Sequence, residues 1–205
     1  MTPLRVVVFD YGFGNVRSAQ NSLLRLGAHA VISADPAAAL SCDGLVVPGV
    51  GAYAACSAGL RSADGPRLIR DRVGRGAPVL GVCVGMQIMF TAGDEHGVRS
   101  PGLGLWEGDV TRLDAPILPH MGWNTVRAPE GSRMFSGVAA ERFYFVHSYA
   151  AHRWAGEPAA VTWSHYGDDF LAAVEAGPVW ATQFHPEKSG EAGLAVLDNW
   201  LATLR

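Results

Sequence analysis

The chain is short of cysteine, short of charge and without a long apolar run. Its three cysteines, Cys42, Cys56 and Cys83, are an odd number at irregular spacing. That pattern fits neither a disulfide framework nor a Cys-x-x-Cys metal site, and it implies a reducing, cytosolic compartment. Charged residues make up 17% of the chain, and the net charge is −3 with no basic run, which argues against a nucleic-acid partner. The N-terminal apolar run, Val6–Phe9, is too short for a signal peptide or membrane anchor, and no later run reaches the length of a bilayer span. No P-loop, no Gly-x-Gly-x-x-Gly after a strand, no internal repeat and no linker occurs. Neither a cofactor nor a metal is expected.

What is present is a foldable chain. Apolar residues make up 49% of 205, and a chain of this length buries roughly 70% of its unfolded surface without staples. One domain, 1–205, is expected. The first half alternates strand and helix signals. "LRVVVFD" suits a strand buried on both faces of a parallel sheet. Val16, Ala19, Leu23, Leu24 and Leu26 recur at helical spacing before Gly27. "AHAVIS", "DGLVVPG" and "APVLGV" are further strands, with a helix across roughly 60–75 and another beginning at "MQIMF". The second half holds short strands divided by turns, then an amphipathic helix whose stripe is Leu194, Leu197, Trp200, Leu201 and Leu204. The fold class is therefore α/β: a doubly wound, mostly parallel sheet with helices on both faces and an added antiparallel layer.

Ligands of such sheets bind outside the carboxyl ends of the strands, where three glycine-rich segments fall. Gly81-Val82-Cys83-Val84-Gly85 has the shape of a nucleophile elbow with Cys in place of Ser; a small buried apolar cysteine is the competing reading. The helix that follows would stabilise a thiolate through its N-terminus. A cysteine nucleophile needs a base and a group to orient that base. His185 and Glu187 are two residues apart, on one side of an extended segment, with Pro186 stiffening the link. Oxyanion donors would be the amides of Val84 and Gly51, the latter in "PGVGAY", where Gly49 and Gly51 permit unusual dihedrals. The remaining histidines, His29, His96, His120, His152 and His165, are read as surface or structural residues without an i, i+4 carboxylate pair.

Cys83 in "GVCVGMQ" followed by "FHPE" resembles the class I, triad glutamine amidotransferase family, and the resemblance covers essentially the whole chain. It extends to "DYGFGNVRS", "PGVGAY", "PHMGWN", "FYFVHSY" and "QFHPEKSG", which are similar to glutaminase subunits of histidine biosynthesis. The resemblance implies a flavodoxin-like fold and a catalytic triad of Cys83, His185 and Glu187 that hydrolyses L-glutamine. It implies substrate contacts at Gly49, Gln87, Glu95, His147, Ser148 and Tyr149. It also implies a heterodimer partner, a cyclase of (β/α)8-barrel type, because the chain has no room for a second active site. Tyr11, Asn15, Trp123 and Lys188 are the interface candidates. Two alternatives stay open: another small triad glutaminase, such as the partner of a pyridoxal phosphate synthase, and a catalytically dead triad fold that serves as a binding subunit.

Overall fold

The structure is a computed structural model that describes residues 3–205. The chain runs β1 (Arg5–Phe9), α1 (Val16–Arg25), β2 (His29–Ser33), α2 (Pro36–Ser41), β3 (Gly44–Gly49), α3 (Tyr53–Ser62), α4 (Gly65–Gly74) and β4 (Val79–Cys83). A single helical turn, α5 (Val84–Gln87), leads to β5 (Phe90–Glu95), β6 (Val98–Pro101) and β7 (Trp106–Arg112). Then come β8 (His120–Thr125), β9 (Arg142–His147), β10 (Tyr149–Ala151), β11 (Ala160–Tyr166), β12 (Asp168–Ala176), β13 (Val179–Thr182) and α6 (Gly190–Leu201).

The main sheet has the order β11-β12-β13-β4-β3-β1-β2. Its five strands β2, β1, β3, β4 and β13 are parallel, whereas β12 and β11 extend the edge antiparallel. The parallel order is that of flavodoxin-like sheets, which place ligands at the carboxyl ends around the switch point. The chain steps from β1 to β2 and then back past β1 to β3. Right-handed crossovers therefore put α1 and α2 on opposite faces. α6 packs with α1, and its Trp200 covers Gly44 of β3 closely enough that a Cβ there would lie 2.7 Å from the indole. A four-stranded sheet (β10-β7-β5-β6) and a two-stranded ribbon (β8-β9) form the added layer. The core is apolar throughout the parallel strands: Val6, Val8, Phe9, Leu45, Val47, Val79 and Leu80 are all buried.

Three elements differ from the sequence expectation. The helix across 60–75 is two helices, because Asp64 adopts a left-handed φ of 56° and Gly65-Pro66 restarts the chain. Pro fits the first helical turn but not a helix interior. α2 had no expected counterpart, although Asp35 accepts from the amides of Ala37 and Ala38 at 3.0 and 3.2 Å, a regular N-cap with proline just inside. The "MQIMF" helix is only one turn. The 103–106 segment takes its carbonyls: Leu103 N donates to Ile88 O, Gly104 N to Phe90 O and Leu105 N to Met89 O. Phe90 then starts β5 instead of continuing a helix.

Candidate active site

Cys83 ends β4 with φ 57° and ψ −115°, a conformation costly for a residue with a Cβ. Its neighbours make the turn possible. A Cβ on Gly85 would sit 1.9 Å from the Val47 carbonyl, and one on Gly49 would sit 2.6 Å from the Gly85 nitrogen. Gly49 is thus required for close approach of β3 to the elbow. It has no positive φ, contrary to the expectation of an unusual dihedral there, whereas Gly51 does, at +87°. α5 is one turn long, so the helix N-terminus expected behind Cys83 is that of a single turn.

His185 follows β13 and is 1% exposed. Its backbone is fixed on both sides: its amide donates to the Tyr144 carbonyl at 2.9 Å, and its carbonyl accepts from the Ser189 hydroxyl at 2.7 Å. Nδ1 is 2.7 Å from Glu187 Oε1, with both side chains buried. The two meet across a 3-10 turn at Pro186–Lys188, not along an extended segment. Asn15 donates to the same Glu187 oxygen at 3.3 Å. Burial works against a charge on His185, but the neighbouring Cys83 sulfur and the Glu187 carboxylate outweigh it and push the imidazole up to about 10.

These groups open into a cavity of about 620 Å³. Cys83, Val84, Gly51, Gln87, Glu95, His147, Ser148, Tyr149, His185, Asn15 and Lys188 all line it. Gln87 donates to the Tyr149 carbonyl at 2.8 Å and to Gln183 Oε1 at 3.0 Å. Glu95 accepts from the Tyr53 amide at 2.6 Å and so also caps α3. The Val50 carbonyl accepts from the Cys56 thiol at 3.1 Å. The Gly51 N–H of the same trans peptide therefore points away from Cys56. His147 is buried in a different setting. Its Nδ1 meets the Tyr149 carbonyl and its Nε2 meets His120, each at 3.0 Å, and burial lowers it to about 3 and His120 to about 4.

Not every expected residue reaches the cavity. Glu187 stands behind His185, and Gly49 lies under the elbow. Tyr11, an interface candidate, is only 7% exposed, and its hydroxyl donates to the Pro48 carbonyl, so the ring braces the turn that follows β3. Trp123 is 51% exposed on β8, packed at 6.0 Å against Tyr144 of β9, with Met121 also exposed beside it. Lys188 is exposed at the cavity wall. His165 does have an i, i+4 carboxylate: Asp169 lies 2.8 Å away across the β11–β12 hairpin, at the surface. Sequence reasoning missed Arg112, which had no local signal. It also missed Gln183, which stands two residues before His185 and carries the same side-alternation signal that flagged Glu187. Among the described residues, no cluster of three or more His, Cys, Asp or Glu could hold a metal ion.

The glutamine amidotransferase class-I model matches residues 7–204. The imidazole glycerol phosphate synthase subunit HisH of Mycobacterium tuberculosis is 61% identical over 203 residues, 98% of this chain and 98% of its own. The protein of that name from Thermobifida fusca is 59% identical, covering 98% and 99%. Among solved structures, a glutamine amidotransferase superposes with a TM-score of 0.75 at 23% identity over 97% of each chain. PurLQS from Thermotoga maritima superposes at 0.75 with 20% identity over the full length of both. At such identities these two show the fold alone. The family model and the close relatives together place this chain in the class-I glutamine amidotransferases, among the imidazole glycerol phosphate synthase HisH subunits.

Proposed function

We propose that the chain is the glutaminase subunit of imidazole glycerol phosphate synthase and hydrolyses L-glutamine through Cys83. The observation that carries the chemistry is a buried His185–Glu187 pair, 2.7 Å apart, whose imidazole lines the same substrate-sized cavity as Cys83. Cys83, as thiolate, attacks the side-chain amide carbon of glutamine. The developing oxyanion is held by the amides of Val84 and Gly51. His185, charged and oriented by Glu187, gives its proton to the departing ammonia. Neutral His185 then takes a proton from water, which attacks the glutamyl thioester. Glutamate leaves, and the thiolate–imidazolium pair is restored. Gln87, Glu95, Gly49 and the His147-Ser148-Tyr149 stretch shape the glutamine pocket.

Ammonia released into water protonates and is lost to synthesis. The product is therefore passed to a cyclase subunit of (β/α)8-barrel type, which forms imidazole glycerol phosphate and aminoimidazole carboxamide ribotide in histidine biosynthesis. The docking face proposed for it is the outer side of β8-β9, where Trp123 and Met121 are exposed, continued by Asn15 and Lys188 at the cavity rim. Tyr144 touches Trp123 on that face and holds the His185 backbone from behind. Docking is thus one side chain away from the base. A reducing cytoplasm suits three free cysteines. No helix among the described residues is long and apolar enough to cross a membrane.

The test is glutamine hydrolysis by the chain alone, with the cyclase, and with the cyclase and its ligand. The proposal expects hydrolysis to rise with each addition and glutamate to form in step with the cyclase product. Equal rates in all three conditions would remove the coupling, and no hydrolysis in any would leave a binding subunit.

A further inference from the structure

One buried side chain at the nucleophile has no part in the triad. Gln183 follows β13, is 1% exposed, and directs Nε2 at Cys83 Sγ over 3.8 Å. The direction of that amide is set from elsewhere. The Tyr149 carbonyl can only accept a hydrogen bond. Gln87 lies 2.8 Å from it and must present its NH2 group there. The second proton of that NH2 goes to Gln183 Oε1 at 3.0 Å. With its oxygen occupied, Gln183 turns its own NH2 toward the sulfur. A second arm leaves the same carbonyl. His147 Nδ1 must carry a proton to bond it, so Nε2 is bare and accepts from His120 Nδ1. His120 Nε2 then accepts from Asn124 Nδ2 at 3.3 Å. One backbone oxygen thus fixes every donor and acceptor from the β8 ribbon to the nucleophile.

We propose that Gln183 is a further catalytic residue of glutamine hydrolysis, whose carboxamide N–H holds the Cys83 sulfur as a thiolate and whose direction is set by the Tyr149 carbonyl through Gln87. The proposal rests on Cys83 being the nucleophile. A sulfur anion in a buried pocket with only one helical turn behind it has few donors, and each N–H aimed at the charged form favours that form. A donor on sulfur, together with His185, also fixes the line along which the sulfur attacks. Gln183 transfers no proton, so the balance of the reaction is unchanged.

The experiment is alkylation of the full chain by iodoacetamide across pH, with the Cys83 peptide quantified by mass spectrometry. Gln183→Leu removes the donor, and Gln183→Glu keeps the size but presents only acceptors when ionised. Wild-type Cys83 is expected to react faster than Cys42 and Cys56, which serve as internal references. Both variants are expected to move the limb of its pH profile to higher pH, and the acid-side rate falls about tenfold for each pH unit the limb moves. Gln183→Glu should move it further than Gln183→Leu. Glutaminase kcat should fall more than KM changes. Should Gln183→Leu not fold, the near-isosteric Gln183→Glu decides alone. An unmoved limb in a folded variant overturns the role of Gln183 while leaving Cys83 as the nucleophile. A wild-type Cys83 that reacts no faster than Cys42 and Cys56 overturns the nucleophile reading itself, and this proposal with it.

Discussion

Two buried histidines share the walls of one cavity and meet opposite fates. At the end of β13, His185 faces the Cys83 sulfur and the Glu187 carboxylate and is raised to about 10. At the end of β9, His147 faces a carbonyl and another imidazole and is lowered to about 3. Their exposures, 1% and 6%, are nearly the same. Burial alone therefore does not decide the charge; the neighbours do. The first region favours a charged ring. The second is built to stay neutral and to hold a fixed hydrogen-bond direction.

The largest effect is expected at the sulfur. Cys83→Ala is expected to lower glutamine-dependent synthesis by at least about a thousandfold, since the covalent route is gone. Synthesis from added ammonium salts should continue, and loss of both activities would show that the sites are not separate. The same variant removes a main cause of the raised His185 value, making its ring more like that of His147. Next in size is Glu187→Gln, which leaves the fold intact but removes the charge that orients His185. A loss in kcat on the order of a hundredfold or more is expected, measured in the complex at saturating glutamine.

The pH dependence of stability sharpens the contrast without touching the reaction. His147 and His120 have folded values below the ordinary 6.5. Their contribution is present above that value and is lost as pH falls through it toward about 4 and about 3, because the unfolded chain takes up protons that the folded one refuses. His185 has the opposite sign: its share is full below 6.5 and lost as pH rises through about 10. Chemical denaturation across pH should therefore show an acid loss that becomes shallower in His120→Gln, with the alkaline loss unchanged. The smallest effect expected is at Asn15. Its 3.3 Å bond to Glu187 is one of two on that oxygen. Asn15→Ala should lower kcat by about fivefold, the worth of roughly 1 kcal/mol, with the His147 region unaffected.

The His185 region was far more legible in the sequence than the His147 region. Gly81, Cys83, Gly85, His185 and Glu187 lie in two short segments, and each residue type is demanded by local backbone or by chemistry. The parallel strands were equally plain, because burial on both faces leaves continuous apolar runs such as Val6–Phe9. The His147 region depends on contacts between strands far apart in sequence: His120 pairs with His147 across β8-β9, and Gln87 meets Gln183 from 96 positions away. No spacing rule encodes those meetings. Likewise, the one-turn α5 is set by carbonyls captured by the 103–106 segment, and "MQIMF" carries no trace of that capture. The burial of Tyr11 is also set at a distance, by the Pro48 carbonyl that accepts from its hydroxyl.

Cys83 and His185 are proposed to form a charged pair before glutamine arrives. Long-range proton–nitrogen NMR of the histidine rings in the full chain at neutral pH tests it directly. Protons on both nitrogens of His185, a single Nδ1 proton on His147, and loss of one His185 proton in Cys83→Ala are expected. A neutral His185 in the wild-type chain, with the same ring pattern in Cys83→Ala, would contradict it.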